Sequence, residues 1–500
     1  VDVGGTFIDV VVAEKASGST RIAKVLHRPG TQGQDILAAI TAMTRQFGGE
    51  MGDVETLVIG TTVVTNALLE HAFARTALIT TEGFRDVVEI ARMSRASSFD
   101  LTRRRPVPIA PRHLRLEIRE RMGADGAPLI ELDESSLTRD VETLRGEGVE
   151  SIAVSLLFSF ANPDHERRVR DVLSRHLTVP ISLSSDVLAT FREYERTSTT
   201  VINASTVPVM NAFLETLATL ASDTGPKLYI MGSDGGCLTL GETRRLPARC
   251  TMSGPAGGVL GSLQLAARHD LGDVLTLDVG GTSTDVALLR GGDVPLTSER
   301  TIGGYPIALP SVEVETVGAG GGSIAYLDRT GLLKVGPQSA GGHPGPVCYG
   351  RGGVRPTVTD AHVALGRLGA RTMLGGDFEV DVAAARAAIA STIAGPAGLT
   401  PVRAALGIID VATANIIRAV RSISIERGRD PRDMTLVAFG GAGALHAADV
   451  AKALEIPLVA IPLHPGVWSA IGIQSADIRY SAQRTWMRAF SPASRFAASG

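Results

Sequence analysis

Two stretches of the chain share one pattern of hydrophobic and polar positions. In residues 1–13, β-branched residues flank a G-G-T sequence, as V-D-V before it and F-I-D-V-V-V-A after it. Residues 274–289 repeat this pattern, and 7 of 12 positions are identical when residues 1–12 are aligned with residues 277–288. Each stretch predicts a β-hairpin that turns at the glycine pair, with no helix directly after it.

The segments between the two copies predict alternating strands and helices. T-L-V-I-G (56–60) is typical of a strand, and T-N-A-L-L-E (65–70) after it is typical of a helix. T-A-L-I-T (76–80) and S-I-A-V-S-L-L-F (151–158) are apolar runs of the kind found in buried strands. Together these segments indicate an α/β protein.

The region after the second copy predicts a loop, a long helix and a glycine-rich turn. Residues 336–356 are so rich in glycine and proline that they predict a long loop. Residues 411–428 have apolar residues at helical spacing and end at Gly428, which predicts a long helix. M-T-L-V-A-F (434–439) predicts a strand, and G-G-A-G (440–443) then forms a turn that opens a further helix.

The composition narrows the functional classes. A chain of 500 residues with 44% hydrophobic and 20% charged residues is typical of a globular protein with two or more domains. The net charge of -3 argues against nucleic acid as a partner, and no apolar run approaches the roughly 18 residues that cross a membrane. Cys237, Cys250 and Cys348 form no zinc or disulfide pattern, which favours a reducing cytoplasm.

The repeated hairpin carries candidate phosphate-binding and metal-binding groups. Turn glycines let the backbone approach a ligand and direct N–H groups into one concavity that suits phosphate oxygens. The phosphate candidates are Gly4, Gly5, Thr6, Gly280, Gly281 and Thr282. Asp2 and Asp278 precede the two turns, where a carboxylate can hold Mg²⁺ directly or through water. One copy alone would indicate a plain hairpin turn, whereas two acidic copies favour a nucleotide held between them.

Other nucleotide-binding motifs do not fit the chain. The P-loop sequence G-x-x-x-x-G-K-[ST] is absent. A dinucleotide fingerprint opens its domain, and the only similar stretch, F-G-G-A-G-A-L-H (439–446), comes far too late in the chain. This stretch indicates either close helix packing or, beside two phosphate hairpins, a wall for adenosine built by Gly440, Gly441 and Ala442.

These elements, in this order, resemble those of the actin-like ATPases, which include sugar and acetate kinases and the heat-shock chaperones. The chain is more similar still to the hydantoinase A/oxoprolinase family, and the resemblance spans the chain from end to end. The strings that carry it are V-D-V-G-G-T-F-I-D (1–9), G-T-T-V-V-T-N-A-L-L-E (60–70), F-R-E-Y-E-R-T-S-T-T-V-I-N-A (191–204), M-S-G-P-A-G-G-V-L-G (252–261), L-D-V-G-G-T-S-T-D-V-A (277–287), H-P-G-P-V-C-Y-G-R-G-G (343–353), A-F-G-G-A-G-A-L-H-A (438–447) and P-G-V-W-S-A-I-G (465–472).

The resemblance implies an α/β fold of two ribonuclease-H-like halves around a nucleotide cleft. It implies an N-terminal half at residues 1–200, a hydantoinase A-type ATPase half at residues 201–480, and the start of a shortened or missing C-terminal region at residues 481–500. It also implies ATP and Mg²⁺ as cofactors and a hydantoinase B-type subunit as partner in a heteromeric complex.

The activity that the resemblance implies is ATP-dependent phosphorylation of the carbonyl oxygen of a hydantoin-type or 5-oxoproline-type cyclic amide. The phosphate ester is a good leaving group, so the ring can then open with the B-type subunit. Two alternatives stay open: an A-type subunit of an ATP-dependent ketone carboxylase, and an actin-like switch without metabolite chemistry. The S-G-P-A-G-G and P-G-P-V-C-Y-G-R-G-G strings, foreign to actin and chaperones, argue against the switch.

Further candidate site residues each have two interpretations. Asp9 and Asp285 follow the two turns, and they either orient a water or substrate as catalytic groups or hydrogen-bond the hairpin itself. Thr62 and Asn66, with Thr61 before them, either cap a helix or reach into the cleft toward the substrate.

Two positions depart from the family pattern. Ile8 stands where threonine is common, which changes one polar contact near the first phosphate hairpin. In T-V-T-D-A-H (357–362), His362 stands where asparagine is expected more often. If this stretch is a strand, Asp360 and His362 share a face and can bind a transition metal with His343; the alternative is a satisfied loop network.

Overall fold

The computed structural model describes most of the chain as strands, helices and short connections. The described residues are 1–4, 7–26, 31–93, 105–217, 225–369, 379–479, 481, 483–485 and 487, with the backbone alone at residue 32. Gly5 and Thr6, two of the predicted phosphate-binding residues, therefore lie outside the described residues, as does most of the predicted C-terminal region at 481–500.

Residues 1–250 form one large mixed sheet, a smaller parallel sheet and their helices. The strands are β1 (Asp2–Val3), β2 (Phe7–Ala13), β3 (Thr20–Leu26), β4 (Thr56–Thr61), β5 (Thr76–Thr81), β6 (Arg115–Ile118), β7 (Arg121–Met122), β8 (Pro128–Ile130), β9 (Ser151–Ser155), β10 (Ile181–Leu183), β11 (Lys227–Met231) and β12 (Cys237–Thr239). The helices are α1 (Gln32–Arg45), α2 (Val63–Leu69), α3 (Val87–Ile90), α4 (Glu134–Gly146), α5 (Asp164–Ser174), α6 (Ser184–Val187), α7 (Glu193–Thr216) and α8 (Leu240–Arg245).

Residues 251–479 form the second large mixed sheet with its helices and three small hairpins or strand pairs. The strands are β13 (Val274–Val279), β14 (Thr284–Leu289), β15 (Leu296–Thr297), β16 (Arg300–Ile302), β17 (Tyr305–Ile307), β18 (Ser311–Val312), β19 (Glu315–Val317), β20 (Ser323–Leu327), β21 (Leu333–Ser339), β22 (Thr435–Phe439) and β23 (Leu458–Ala460). The helices are α9 (Ser253–His269), α10 (Val358–Ala364), α11 (Val382–Ile389), α12 (Gly395–Ala397), α13 (Pro401–Ile423), α14 (Gly443–Leu454) and α15 (Trp468–Gln474).

Five strands of each large sheet share one order and one pattern of directions, and the first sheet has β12 as an additional edge strand, antiparallel to β11. The first runs β12-β11-β4-β1-β2-β3 and the second runs β19-β14-β13-β22-β23. In each, three successive strands pair antiparallel (β1, β2, β3; β13, β14, β19), and two further strands pair parallel on the other side of the first (β4, β11; β22, β23). This recurrence confirms the predicted α/β fold of two ribonuclease-H-like halves.

The predicted elements of both halves are largely confirmed. The two G-G-T hairpins are β1–β2 and β13–β14, and the other predicted strands are β4, β5, β9 and β22. The long helix α13 begins ten residues earlier than predicted, at Pro401. Proline is favourable there because an N–H group at the first helical position would have no hydrogen-bond partner within the helix. The 3-10 turn that follows α13 ends at Gly428, whose φ of +71° stops the helix as predicted.

The loop predicted over residues 336–356 begins later than expected. Strand β21 extends to Ser339 and pairs antiparallel with β20, with a register shift between Ser323 and Ala325. Proline is tolerated at such an irregularity because the ladder there needs no N–H donor.

A second, parallel sheet is inserted in the N-terminal half between β4 and β11. Its order is β10-β9-β5-β6, and it has a hydrophobic core of its own that includes Ile79, Ile152 and Leu173. The sequence predicted β5 and β9 but not their separate sheet. Helix α7 passes through residue 200, and the division of the halves there stays a prediction.

In the described part of the chain, no single helix is long and apolar enough to cross a membrane. One bent pair, Val382–Ala397 with Pro401–Arg427, reaches that length and composition only when taken together, across a 90° bend.

Candidate functional site

Two helices join the halves. Helix α15 packs against α9 and contacts β1, β2 and β4 of the first sheet, while α9 contacts β4 and β11 as well as β13 and β14 of the second. The contact is close enough to need glycine: a Cβ at Gly472 would lie 1.8 Å from Gly257 O, and one at Gly257 would lie 2.6 Å from Ser469 O. The strings S-G-P-A-G-G and P-G-V-W-S-A-I-G therefore build the connection between the two sheets.

Each repeated hairpin places two carboxylates directly opposite each other. Asp2 pairs with Asp9 across β1–β2, and Asp278 pairs with Asp285 across β13–β14. Residues paired in this way lie on the same face of a sheet. The turns also match, because Gly4 N donates to Phe7 O at 3.0 Å and Gly280 N donates to Ser283 O at 2.9 Å.

Glycine on the neighbouring parallel strand makes room for the first acid of each pair. A Cβ at Gly60, at the end of β4, would lie 2.9 Å from Asp2 Oδ1. A Cβ at Gly440, directly after β22, would lie 2.2 Å from Asp278 Oδ1. The β4–α2 turn of the first half therefore corresponds to the β22–α14 turn of the second.

The carboxylates of the two hairpins interact across the halves. The pKa of Asp278 is raised to about 8, first by burial and then, in order of size, by the charges of Asp285, Asp2 and Asp9, while a hydrogen bond with Ser469 opposes the shift. Burial, and then the charge of Asp9, raises the pKa of Asp2 to about 6. Because such charge effects need proximity, Asp278 lies near Asp2 and Asp9 of the first hairpin. That the two hairpins hold a nucleotide between them stays a prediction.

The donor set at this place fits Mg²⁺. Oδ1 of Asp2 is buried and has no hydrogen-bond partner among the described residues. Those residues include no group of three or more His, Cys, Asp or Glu side chains arranged for a metal. Mg²⁺ at nucleotide sites takes only one or two carboxylates and completes its shell with phosphate oxygens and water. Asp2 and Asp278 supply that number.

The second acid of each pair is hydrogen-bonded within its own sheet. Asp9 Oδ1 accepts a hydrogen bond from Lys24 Nζ at 2.5 Å, and Asp285 Oδ1 accepts one from Thr316 Oγ1 at 2.5 Å. Lys24 and Thr316 are the direct partners of these acids on the third strand of each sheet. Burial is the largest cause that raises the pKa of both acids. Hydrogen bonding of the hairpin is thus present, and a catalytic role for Asp9 and Asp285 stays a prediction.

The turn proposed as the adenosine wall lies beside the second hairpin. Ala442 N donates to Val279 O at 2.9 Å, Gly440 N donates to Pro465 O at 2.9 Å, and Gly441 is exposed. Helix α14 then begins at Gly443, as the sequence predicted. This arrangement puts the N-terminus of a 12-residue helix next to Asp278.

Residues 320–322, three consecutive glycines to which the sequence analysis assigned no role, contact the second hairpin. Gly321 N donates to Gly280 O at 2.9 Å, and Gly322 N donates to Gly281 O at 2.6 Å. A Cβ at Gly320 would lie 2.7 Å from the carbonyl carbon of Thr282. The run A-G-G-G (319–322) was the available signal, because consecutive glycines indicate close backbone approach.

Thr62 and Asn66 tie helix α2 to the first hairpin. Thr62 is at the N-cap position of α2 without capping it, and its hydroxyl donates to Val3 O at 3.3 Å. Asn66 Nδ2 donates to Thr62 Oγ1 at 3.2 Å. The hydroxyl of Thr61 accepts a hydrogen bond from Val63 N at 3.2 Å. The substrate contact of Thr62 and Asn66 stays a prediction.

Residues 357–362 are not a strand, and the transition-metal interpretation is wrong in its premise. They begin helix α10, with Thr357 and Asp360 forming a capping box. Asp360 accepts hydrogen bonds from Val347 N at 3.1 Å and Cys348 N at 2.7 Å, so it belongs to a satisfied network. His362 Nε2 lies 3.3 Å from His446 Nε2 instead.

Ile8 is fully buried in the core of the first half and pairs with Val3. Because strand side chains alternate between faces, Ile8 lies on the face opposite to Asp9. The departure from threonine at this position is therefore accommodated by hydrophobic packing.

Comparison with known proteins gives matches over most of the chain. The model of the hydantoinase/oxoprolinase N-terminal region matches residues 1–177, and the hydantoinase/oxoprolinase model matches residues 196–482. The chain is 38% identical over 490 residues to caprolactamase subunit alpha of Pseudomonas jessenii, and this alignment covers 96% of the chain and 70% of the relative. It is 35% identical over 512 residues to the acetophenone carboxylase gamma subunit of Aromatoleum aromaticum, and that alignment covers 96% of the chain and 68% of the relative.

A solved structure agrees with these matches. The ATP-dependent caprolactamase from Pseudomonas jessenii is similar with a TM-score of 0.83 and 36% identity, over 96% of this chain and 70% of that one. The chain belongs to the hydantoinase/oxoprolinase family.

Proposed function

We propose that this chain is the A-type subunit of an ATP-dependent cyclic-amide hydrolase, which phosphorylates the carbonyl oxygen of a hydantoin-type or 5-oxoproline-type ring. The observation that carries the proposal is the pair of matching acidic hairpins, with Asp2 near enough to Asp278 for its charge to raise the pKa of Asp278. The identity to a caprolactamase subunit, a protein named for a cyclic amide, supports the substrate class.

The residues of the cleft have separate roles in this proposal. The turns at Gly4–Thr6 and Gly280–Thr282 bind the phosphates through backbone N–H groups, and Gly440–Ala442 lie along the nucleoside. Asp2 and Asp278 hold Mg²⁺, which neutralises phosphate charge when it is bound. The negative charges of Asp285, Asp2 and Asp9, which raise the pKa of Asp278, are then balanced.

Transfer to a carbonyl oxygen depends mainly on alignment and charge neutralisation. In the proposal, Thr62 and Asn66 orient the ring beside the first hairpin, to which their hydrogen bonds already attach α2. Asp9 and Asp285 orient the substrate or a water. The halves at residues 1–200 and 201–480 enclose the reaction between them.

A partner completes the reaction in this proposal. The relatives are named as alpha and gamma subunits, which supports a heteromeric complex. We assign the role of partner to a hydantoinase B-type subunit, which opens the activated ring, and we place the complex in the cytoplasm.

The second candidate is the A-type subunit of an ATP-dependent ketone carboxylase. The 35% identity to an acetophenone carboxylase subunit over 96% of the chain favours it. The same cleft would then phosphorylate an enolate oxygen rather than an amide oxygen.

The test is substrate-dependent ATP turnover by the chain with its B-type partner. Ring opening of hydantoin, 5-oxoproline or caprolactam in step with ATP consumption supports the amide reaction. Bicarbonate-dependent turnover with a ketone supports carboxylation instead. Ring opening without ATP contradicts the amide proposal, and ATP turnover that responds only to a protein partner contradicts both enzyme proposals. Asp278→Asn is expected to lose the activity, and Asp410→Asn, on the exposed side of α13, is the matched control.

A further inference from the structure

Lys24 contacts groups from both halves of the protein. Its ammonium donates to Asp9 Oδ1 at 2.5 Å and to Gly466 O at 3.1 Å. It also lies 5.2 Å from the centroid of the Phe7 ring. Lys24 belongs to β3 of the first sheet, whereas Gly466 belongs to the turn that precedes α15.

The turn that receives Lys24 lies between the two large sheets. Residues Pro465–Val467 form a 3-10 turn that contacts both β2 and β22. Pro465 O accepts the hydrogen bond of Gly440 N, and Gly440 is the residue that makes room for Asp278. One short turn therefore connects Lys24 of the first half with the residue beside the second hairpin.

The fold itself does not require a lysine at this position. In the second sheet the equivalent place, opposite Asp285 on the third strand, is occupied by Thr316, whose hydroxyl bonds Asp285 within the sheet. The three antiparallel strands have the same order in both sheets, so the longer side chain of Lys24 is not needed to build the hairpin. Its reach to Gly466 is the feature that the second half lacks.

A stabilising surface ion pair is the simpler interpretation. Lys15–Glu55 is such a pair in the same half, with side chains 81% and 67% exposed, and pairs of this kind contribute little to folding. The Lys24 and Asp9 side chains are only 28% and 16% exposed, and Lys24 also bonds a carbonyl of the other half. The contact of Lys24 with Asp9 and Gly466 can therefore affect the position of one half relative to the other.

We propose that Lys24 is a positioning residue, which holds the first phosphate hairpin to the Pro465–Val467 turn and so keeps the two halves in the arrangement that retains the nucleotide. This inference rests on the proposed function for the identity of the ligand. Lys24 acts through Asp9, Gly466 and, by way of Pro465, Gly440. Without the ammonium of Lys24, the Pro465–Val467 turn is no longer held to the first hairpin. The nucleotide then dissociates faster, and the two halves are aligned for phosphoryl transfer less often.

The experiment compares Lys24→Met, Lys24→Arg and Lys15→Met in the full chain. Lys24→Met is expected to speed dissociation of a fluorescent ATP analogue with Mg²⁺ by about tenfold, as for loss of a charge-assisted hydrogen bond, and to lower kcat more than it raises KM. Lys24→Arg, which can still reach both partners, should keep most of the natural chain's slow nucleotide dissociation and its kcat. Lys15→Met should match the natural chain.

A second readout needs no nucleotide. Amide hydrogen exchange of the segment 438–443 reports on the Gly440 N–H to Pro465 O bond. Faster exchange there in Lys24→Met than in Lys15→Met supports the proposal, and equal exchange together with equal nucleotide dissociation overturns it. If the natural chain binds no Mg²⁺–ATP, the proposed function fails, while the exchange comparison still decides whether Lys24 holds the turn.

Discussion

Asp278 lies directly over Gly440, so closely that a Cβ on Gly440 would stand 2.2 Å from Asp278 Oδ1. Gly440 also has a φ of +82°, a backbone conformation that side chains rarely adopt. The second hairpin's carboxylate therefore depends on a glycine in the turn that follows β22. A close approach also occurs in the first half, where a Cβ on Gly60 would lie 2.9 Å from Asp2 Oδ1.

Gly440→Ala is expected to displace Asp278 and weaken Mg²⁺–ATP binding by about tenfold or more, since the clash and the strained φ together cost about 1–3 kcal/mol. Calorimetric titration measures this change. Gly241→Ala is the control, because Gly241 is exposed on α8 with no atom within 4 Å of a Cβ there. Equal affinities of the two variants would contradict the placement of the nucleotide beside Asp278.

Asp278→Asn is expected to stabilise the nucleotide-free protein while it removes activity. The pKa of Asp278 is raised from 3.8 to about 8, so its contribution to stability is full below pH 3.8 and is lost as the pH rises through about 8. Asparagine does not ionise and avoids this loss. The thermal unfolding midpoint of Asp278→Asn should therefore exceed that of the natural chain by more at about pH 9 than at about pH 5.

Adding Mg²⁺–ATP should reverse that order, because the ligand stabilises only the protein that binds it. The midpoint of the natural chain should rise and that of Asp278→Asn should not. Asp410→Asn, at an exposed position of α13, should follow the natural chain under both conditions. An Asp278→Asn protein that responds fully to Mg²⁺–ATP would argue against a metal-binding role for Asp278.

The hairpins and the turn before α14 could be predicted because their signals are local. A G-G-T between two β-branched runs indicates a hairpin wherever it occurs, and its repetition indicates two equivalent halves. Helix α10 was not predicted, although its local signal is present in the capping box formed by Thr357 and Asp360.

The remaining features depend on contacts between residues far apart in the chain. Lys24 and Gly466 are 442 positions apart, and nothing in the sequence near either residue indicates the other. The inserted parallel sheet was missed for a related reason. Its strands are buried runs such as residues 76–81 and 151–155, which carry no information about which strand they pair with.

Gly257→Ala tests the connection between the halves. A Cβ there would lie 2.6 Å from both Ser469 O and Ile473 Cγ1, so α9 and α15 must move apart. We expect the free energy of unfolding to fall by about 1–3 kcal/mol in urea titrations, as for other overpacked cores. Gly146→Ala, at the end of α4 with no atom within 4 Å of a Cβ, should change it little. Similar losses in both variants would contradict the close packing of α9 on α15.

The buried pair His362 and His446 predicts a loss of stability in mild acid. The pKa of His362 is lowered from 6.5 to about 3, first by burial and then by the charges of His446 and Arg367. The pKa of His446 is lowered from 6.5 to about 4, mainly by burial; Asp449 opposes this shift and Arg367 adds to it. Stability is therefore full above pH 6.5 and is lost as the pH falls toward 4. The double variant His362→Gln/His446→Gln should flatten this dependence in urea unfolding, even if it is less stable at pH 7. His176→Gln, at an exposed position, should keep the slope of the natural chain, and an unchanged slope in the double variant would show that other groups cause the acid sensitivity.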